Sequence, residues 1–249
     1  YSARAEVMKS LQPARHDTQS EITDAVIIDT GRRGITIMEV SRVIQSIDRW
    51  IKIADCHQED NLRADHKTAL PSVTYGFQLC PYNLVGIISP WNFPFTLSMI
   101  DAIPALLAGC AVIIKPSEVT PRFIEPLLEA IQSISILSDV LHIIQGDGET
   151  GNALISHIDA VCFTGSVNTG RKVASVAADN FIPAFLELGG NDPAIVLEDA
   201  DIEKAATTLL RASIINTGQA CQSIERIYVA KLQYDEFCNL LLEAAKKVH

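Results

Sequence analysis

Three short runs in this 249-residue chain carry residues able to attack a carbonyl group and then release the product. Cys221 lies in Gly218-Gln219-Ala220-Cys221-Gln222-Ser223, Glu187 in Glu187-Leu188-Gly189-Gly190-Asn191, and Asn92 in Pro90-Trp91-Asn92-Phe93-Pro94. A thiolate at Cys221 is a nucleophile toward a carbonyl carbon. The Asn92 side-chain amide, in a turn stiffened by two prolines, can donate to the oxyanion that forms, as can the backbone N–H of Cys221. Glu187, 34 positions before the cysteine, is a base for the water that must free the acyl group. Taken singly, each has an ordinary reading: a lone cysteine packs, a lone glutamate faces solvent, and an asparagine between aromatics sits in a turn. Their joint occurrence points to chemistry.

The elements that must position these residues alternate strand and helix patterns. Leu84 to Ser89, Ala111 to Lys115, Val140 to Gln145, Ala160 to Phe163 and Pro183 to Leu188 read as strands. Phe95 to Ala108, Pro121 to Ile134, Gly148 to Ser156 and Val167 to Ala178 read as helices, the second capped by Thr120 and kinked at Pro126. The pattern predicts an α/β fold, a doubly wound Rossmann-like parallel sheet of five strands. After Gly190, a strand at Ala194 to Leu197 and helices near Ile202 to Ile214 and Tyr234 to Val248 begin a second α/β domain. Upstream, Ala3 to Leu11, Glu21 to Thr30 and Ile35 to Ala54 read as helices, followed by a hairpin near 67–80.

Gly146-Asp147-Gly148-Glu149-Thr150-Gly151 has GxGxxG spacing between a strand and a helix, where a pyrophosphate can rest on the helix N-terminus. The same run reads equally as a plain glycine turn, and Asp147 and Glu149 would repel a phosphate; the residues alone leave both readings open. Lys115 and Glu118 follow the second strand of the alternation, where a doubly wound fold hydrogen-bonds an adenosine ribose. Glu118 favours NAD, because a 2′-phosphate would meet like charge, an effect that Lys115 offsets in part.

In this order and spacing, the Asn92, Glu187 and Cys221 runs resemble the NAD(P)-dependent aldehyde dehydrogenase superfamily, and the resemblance extends over nearly the whole chain. It implies oxidation of a small-molecule aldehyde to a carboxylate through a cysteine thiohemiacetal and thioester, with NAD as cofactor and NADP as the second option. It further implies that Phe163-Thr164-Gly165-Ser166, with Gly170, forms the pyrophosphate turn, that Gly146 and Gly151 lie nearer the adenine, that Trp91 shields the cofactor, and that Leu188 and Gly189 border the nicotinamide. Residues 1–189 would then form the NAD(P)-binding domain and 190–249 the first part of the catalytic domain, with a homo-oligomer expected for a full-length relative. Two departures stand out. Members of the family are considerably longer at both ends, so the chain reads as a fragment or shortened relative. Asp101 stands where many members carry Lys, although succinic-semialdehyde-type sequences carry Asp, so the resemblance does not name the aldehyde. The alternative is a noncatalytic relative that binds only nucleotide or a partner; a CoA-acylating enzyme is disfavoured by the base at Glu187.

Composition restricts the other classes. With 48% hydrophobic and 20% charged residues, the chain can bury a sizeable core. A formal charge of -10 without a Lys/Arg cluster argues against nucleic acid and anionic membranes as partners. The longest apolar stretch, Ala102 to Ile114, contains Pro104 and Gly109 and is too short for a bilayer, and no leader pattern opens the sequence, which points to the cytoplasm. Six scattered cysteines, with no CxxC and no zinc-type Cys/His spacing, predict free thiols and no metal site. Cys56, Cys80, Cys110, Cys162 and Cys238 are expected to be buried packing residues.

Overall fold

The computed structural model describes residues 2–11, 16–60 and 66–248. The chain divides into two compact units, Tyr1–Glu187 and Leu188–His249. Unit 1 opens with three helices, α1 (Ser2–Leu11), α2 (His16–Thr30) and α3 (Gly34–Asp60), then β1 (His66–Lys67) and β2 (Thr74–Tyr75). Its central elements are β3 (Leu84–Ile88), α4 (Pro94–Ala108), β4 (Ala111–Lys115), α5 (Ile124–Gln132), α6 (Ser135–Val140) and β5 (Leu141–Ile143). It is completed by α7 (Gly148–Ile155), β6 (Ala160–Gly165), α8 (Val167–Asp179) and β7 (Ala184–Leu188), whose last residue opens unit 2.

The five strands lie in the order β5-β4-β3-β6-β7, and β3 pairs in parallel with both β4 and β6. This is the doubly wound α/β sheet that the alternating pattern predicts. Val85 and Ile87 of β3, with Val112 and Ile114 of β4, point into one core shared with α1 to α5. On the other side, a side chain at Gly86 would run into Ile158 just after α7, so glycine at this central strand position lets α7 and its following turn pack closely. Helix α4 starts with Pro94 at its first position and ends at Gly109, whose left-handed φ of 109° lets its N–H reach the carbonyls of Ala105 and Leu106.

Several local expectations change. The helix predicted from Pro121 begins only at Ile124, because the Thr120 hydroxyl donates to the Trp91 carbonyl (3.2 Å) instead of capping it. Pro126 falls in the first turn, where no intrahelical N–H is required, so it gives no cause for a kink. Val140 closes a short helix, α6, and the strand begins at Leu141. The hairpin near 67–80 shrinks to two pairs, His66 with Tyr75 and Lys67 with Thr74, with Pro71 in the connection and Gly76 beyond the second strand. The cysteines differ too: Cys56 and Cys80 are exposed, Cys162 and Cys238 partly buried, and Cys110 alone of the five is buried.

Unit 2 holds β8 (Asp192–Val196), α9 (Ile202–Ile214), a 3₁₀ turn (Ile215–Gly218), β9 (Ile224–Val229) and α10 (Tyr234–Ala245). Asp201 caps α9 by accepting from the Lys204 N–H at 3.0 Å, and β8 and β9 pair in parallel. Val196, Ala206 and Phe237 form its small core. No described helix is long and apolar enough to cross a membrane.

Candidate active site and dinucleotide cleft

A cleft of about 540 Å³ opens in unit 1 at the C-terminal ends of β3, β4 and β6. There the strand order reverses, the chain running outward from β3 to β5 and resuming on the other side of β3 at β6. Such a reversal leaves a crevice between divergent connections. Trp91, Lys115, Glu118, Gly151, Gly165 and Ser166 all line it.

Lys115 ends β4 with its side chain 5% exposed, and its ammonium donates to the Pro116 carbonyl and to Glu118 Oε2, both at 3.1 Å. Glu118 is 57% exposed, and its carboxyl is held below the usual range, first by its own backbone amide, which desolvation opposes, and then by Lys115, with the Asp147 charge pulling the other way. The cleft therefore carries a charge-compensated pair with an outward carboxylate available to accept from a hydroxyl.

The two helix N-termini at this cleft differ. Asp147 caps α7, accepting from Glu149 N–H at 3.0 Å and, more weakly, from Thr150 N–H, so a carboxylate already occupies the anion position. Ser166 caps α8 with a neutral hydroxyl that accepts from Thr169 N–H (3.2 Å), and Lys172 lies on the cleft wall of the same helix. An anionic group is accommodated better at α8. Gly165 precedes this cap because a Cβ there would stand 2.6 Å from the Phe163 ring. Gly170 is buried within α8, and Gly146, at φ 153°, has Thr150 where a side chain would go; neither lines the cleft.

Asn92 is half-buried in the turn between β3 and α4, outside the lining of the cleft. Glu187 is exposed on β7, whereas the flanking Leu186 and Leu188 are half-buried. The leucines give Glu187 no shelter, because alternate side chains of a strand face opposite ways. Asp101 of α4, partly buried, has its carboxyl pushed up by burial and secondarily by the Glu187 charge. Burial likewise pushes the Cys162 thiol up to about 12, with Asp101 as the next cause.

A raised folded-state value means that the folded protein holds this proton more tightly than the unfolded chain. The resulting stability is complete below the ordinary aspartate range and is lost as pH climbs through the raised value. Asp101→Asn is expected to melt above wild type at pH 7, by roughly 1 kcal/mol, and the difference should vanish near pH 3. Thermal scans at both pH values test this, and a lower midpoint for Asp101→Asn at pH 7 contradicts it.

In unit 2, Cys221 is exposed in the turn before β9, its thiol 3.4 Å from Gln222 Oε1. Just upstream, Asn216 and Thr217 take left-handed φ values of 55° and 57°, costly for non-glycine residues. Asn216 is buried and donates to the Gln219 carbonyl at 3.0 Å. The Gly189-Gly190-Asn191 run is tied to β9: Arg226 Nε and Nη2 donate to Asn191 O at 3.0 and 2.7 Å, and Asp192 N–H donates to Glu225 Oε2 at 2.6 Å. Gly189 faces open space, whereas a side chain at Gly190 would meet Asp192, a local reason for the second glycine.

A doubly wound sheet with a crevice of this lining defines a dinucleotide-binding class of α/β protein. Within that class the chain belongs to the aldehyde dehydrogenase family, which it matches over residues 1–249. It is 34% identical over 257 aligned residues to the lactaldehyde dehydrogenase of Escherichia coli (strain K12), a match covering 98% of this chain and 51% of that protein. The solved structure of PutA from Anabaena variabilis, provisionally described as an aldehyde dehydrogenase, superposes with a TM-score of 0.93 at 49% identity, covering all of this chain and 52% of its own. Betaine aldehyde dehydrogenase from Staphylococcus aureus, solved in complex with NAD+, gives a TM-score of 0.87 at 25% identity over 99% of this chain and 49% of its own. The chain thus spans about half the length of the relatives it matches.

Proposed function

We propose that this chain carries the cofactor cleft and the nucleophile of an NAD(P)-dependent dehydrogenase that oxidises an aldehyde to a carboxylate. The observation that carries this reading is the Lys115–Glu118 pair beside the neutral Ser166 cap in one cleft, in a chain that also holds the Asn92, Glu187 and Cys221 runs. NAD, when bound, supplies the hydride acceptor. Lys115 and Glu118 would hold the adenosine ribose, Ser166 and the α8 N-terminus the pyrophosphate, and Trp91 would shield the cofactor. Leu188 and Gly189 would border the nicotinamide, and Gly151, on the cleft side of α7, would lie nearer the adenine.

In this reading Cys221 thiolate adds to the aldehyde carbon. The Asn92 amide and the Cys221 N–H donate to the oxyanion, and Glu187 takes a proton from the water that hydrolyses the thioester. Aldehyde, NAD and water become carboxylate, NADH and protons. NAD is preferred because Glu118 opposes a 2′-phosphate, and NADP is the second option. The acidic balance and the family resemblance support a cytoplasmic homo-oligomer without nucleic-acid or membrane partners.

Titration calorimetry tests the cleft directly. The chain is expected to bind NAD with Kd on the order of 0.1–1 mM, so that NAD at about ten times Kd adds roughly 1.4 kcal/mol of stability. Lys115→Met should weaken NAD about tenfold, the loss of one charged hydrogen-bonding group, and Glu118→Gln should narrow the margin over NADP. No heat or thermal shift at millimolar NAD overturns the cleft assignment, and a wild-type preference for NADP overturns the role of Glu118.

A further inference from the structure

The turn that carries Asn92 leads into a helix without a local side-chain cap: Phe93 stands at the N-cap of α4 and makes no capping bond. The first-turn amides are satisfied from elsewhere. Glu39, on α3 and 56 residues earlier than Phe95, accepts from Phe95 N–H at 3.1 Å and Thr96 N–H at 3.0 Å through Oε1. Its other oxygen accepts from Arg32 Nη2 at 3.0 Å, in a pair whose side chains are 1% and 11% exposed. The Arg32 guanidinium lies 5.0 Å above the Phe93 ring centroid, so one ion pair grips both the residue after Asn92 and the helix beyond it. The turn is tied at further points: the Trp91 carbonyl accepts from Thr120, and the Pro94 carbonyl accepts from Ser98 at 2.7 Å.

A carboxylate buried this deeply needs compensation, because desolvation pushes the Glu39 carboxyl up against the opposing pull of the Thr96 amide, Arg32 and the Phe95 amide. Any polar cap of the right length could complete α4. A buried charge locked by an arginine that also stacks on Phe93 fixes the direction in which the chain enters the helix, with Asn92 in the middle of the tied run.

We propose that Glu39, held by Arg32, is a positioning residue for Asn92, fixing the orientation in which its amide is presented. The proposal rests on the reading of Asn92 as the oxyanion donor, for which placement to within about 1 Å decides the rate.

Amide hydrogen exchange and ¹⁵N-resolved spectra of the whole chain provide the first test. In Glu39→Ala, exchange at Phe95 and Thr96 should accelerate by roughly tenfold or more, and the Asn92 side-chain amide signals should broaden or move, while Val112 and Ile114 of β4 keep their protection. Glu39→Gln retains an acceptor oxygen and should keep most of the Phe95 and Thr96 protection. Unmoved Asn92 signals in Glu39→Ala overturn the proposal. So does a uniform loss of protection through β4 in both variants, which would make Glu39 a stability residue only.

Single-turnover aldehyde oxidation separates this proposal from the reading beneath it. Asn92→Ala should slow hydride transfer by about 10²–10³-fold, and an unchanged rate sinks the oxyanion role itself. Glu39→Ala should slow it by roughly tenfold or more with NAD affinity unchanged, and should add nothing in the Asn92→Ala background. Losses that simply multiply overturn positioning through Asn92.

Discussion

Glu187→Gln is expected to release one equivalent of NADH rapidly in the catalytically competent protein and then turn over about a hundredfold more slowly than wild type. The amide cannot take a proton from water, so thioester hydrolysis stalls, whereas attack by Cys221 and hydride transfer need nothing from residue 187. The exposed position of Glu187 on β7 leaves its carboxylate open to water, as a hydrolytic base requires. Cys221→Ala should abolish both burst and steady rate. Rapid-quench or stopped-flow detection of NADH resolves the phases. Equal steady rates in wild type and Glu187→Gln sink the base assignment, and activity surviving Cys221→Ala sinks covalent catalysis. A wild type that binds NAD but shows neither phase favours the noncatalytic alternative.

Phe123→Ala should cost about 3–5 kcal/mol of unit 1 stability, among the largest single-residue losses available in this core. Phe123 is 1% exposed, and its ring meets Phe95 edge-on at 6.0 Å and 68°, pinning the start of α5 to the start of α4. The cavity left by alanine cannot be refilled by residues held in both helices. Both tryptophans, Trp50 and Trp91, lie in unit 1, so denaturant titration followed by tryptophan fluorescence reports on this unit. Phe123→Leu keeps most of the volume and should lose about 1 kcal/mol. A loss below 1 kcal/mol for the alanine variant means that this contact is not structural.

What was legible in the sequence was what short-range pattern encodes. Leu84-Val85-Gly86-Ile87-Ile88 is an apolar run of strand length, and its neighbours alternate with helix signals at parallel-sheet intervals, which is enough to define the doubly wound fold. Strand β9 escaped because Glu225 and Arg226 interrupt its apolar residues, and only the pairing with β8 reveals it. Thr120 looked like a helix cap because nothing local shows that its hydroxyl turns to Trp91, 29 residues away. Among the candidate site residues, Lys115 and Glu118 are three apart and their pairing is readable from the sequence. Glu39 is not: it reads as one more acid on a helix, and its partners Phe95 and Thr96 come from another element altogether. The exposure of Glu187 lay in the two-residue period of a strand, which hydrophobic neighbours alone obscure.

Helices α1 to α3 are joined to α4 and to the turn before α5 by polar ties that span long stretches of chain: Arg4 Nε to Leu107 O at 2.9 Å, Glu39 to Phe95, and Asp29 to Arg122. On the ribosome, α1 to α3 emerge before any of these partners exists. The separation of 103 residues between Arg4 and Leu107 corresponds to about 5–20 s of synthesis at 5–20 residues per second. Through that interval a carboxylate destined for burial remains hydrated and the apolar faces of three helices have no α4 or α5 to pack against. The order of synthesis therefore leaves α1 to α3 in need of chaperone protection until Phe95, Leu107 and Arg122 have followed them.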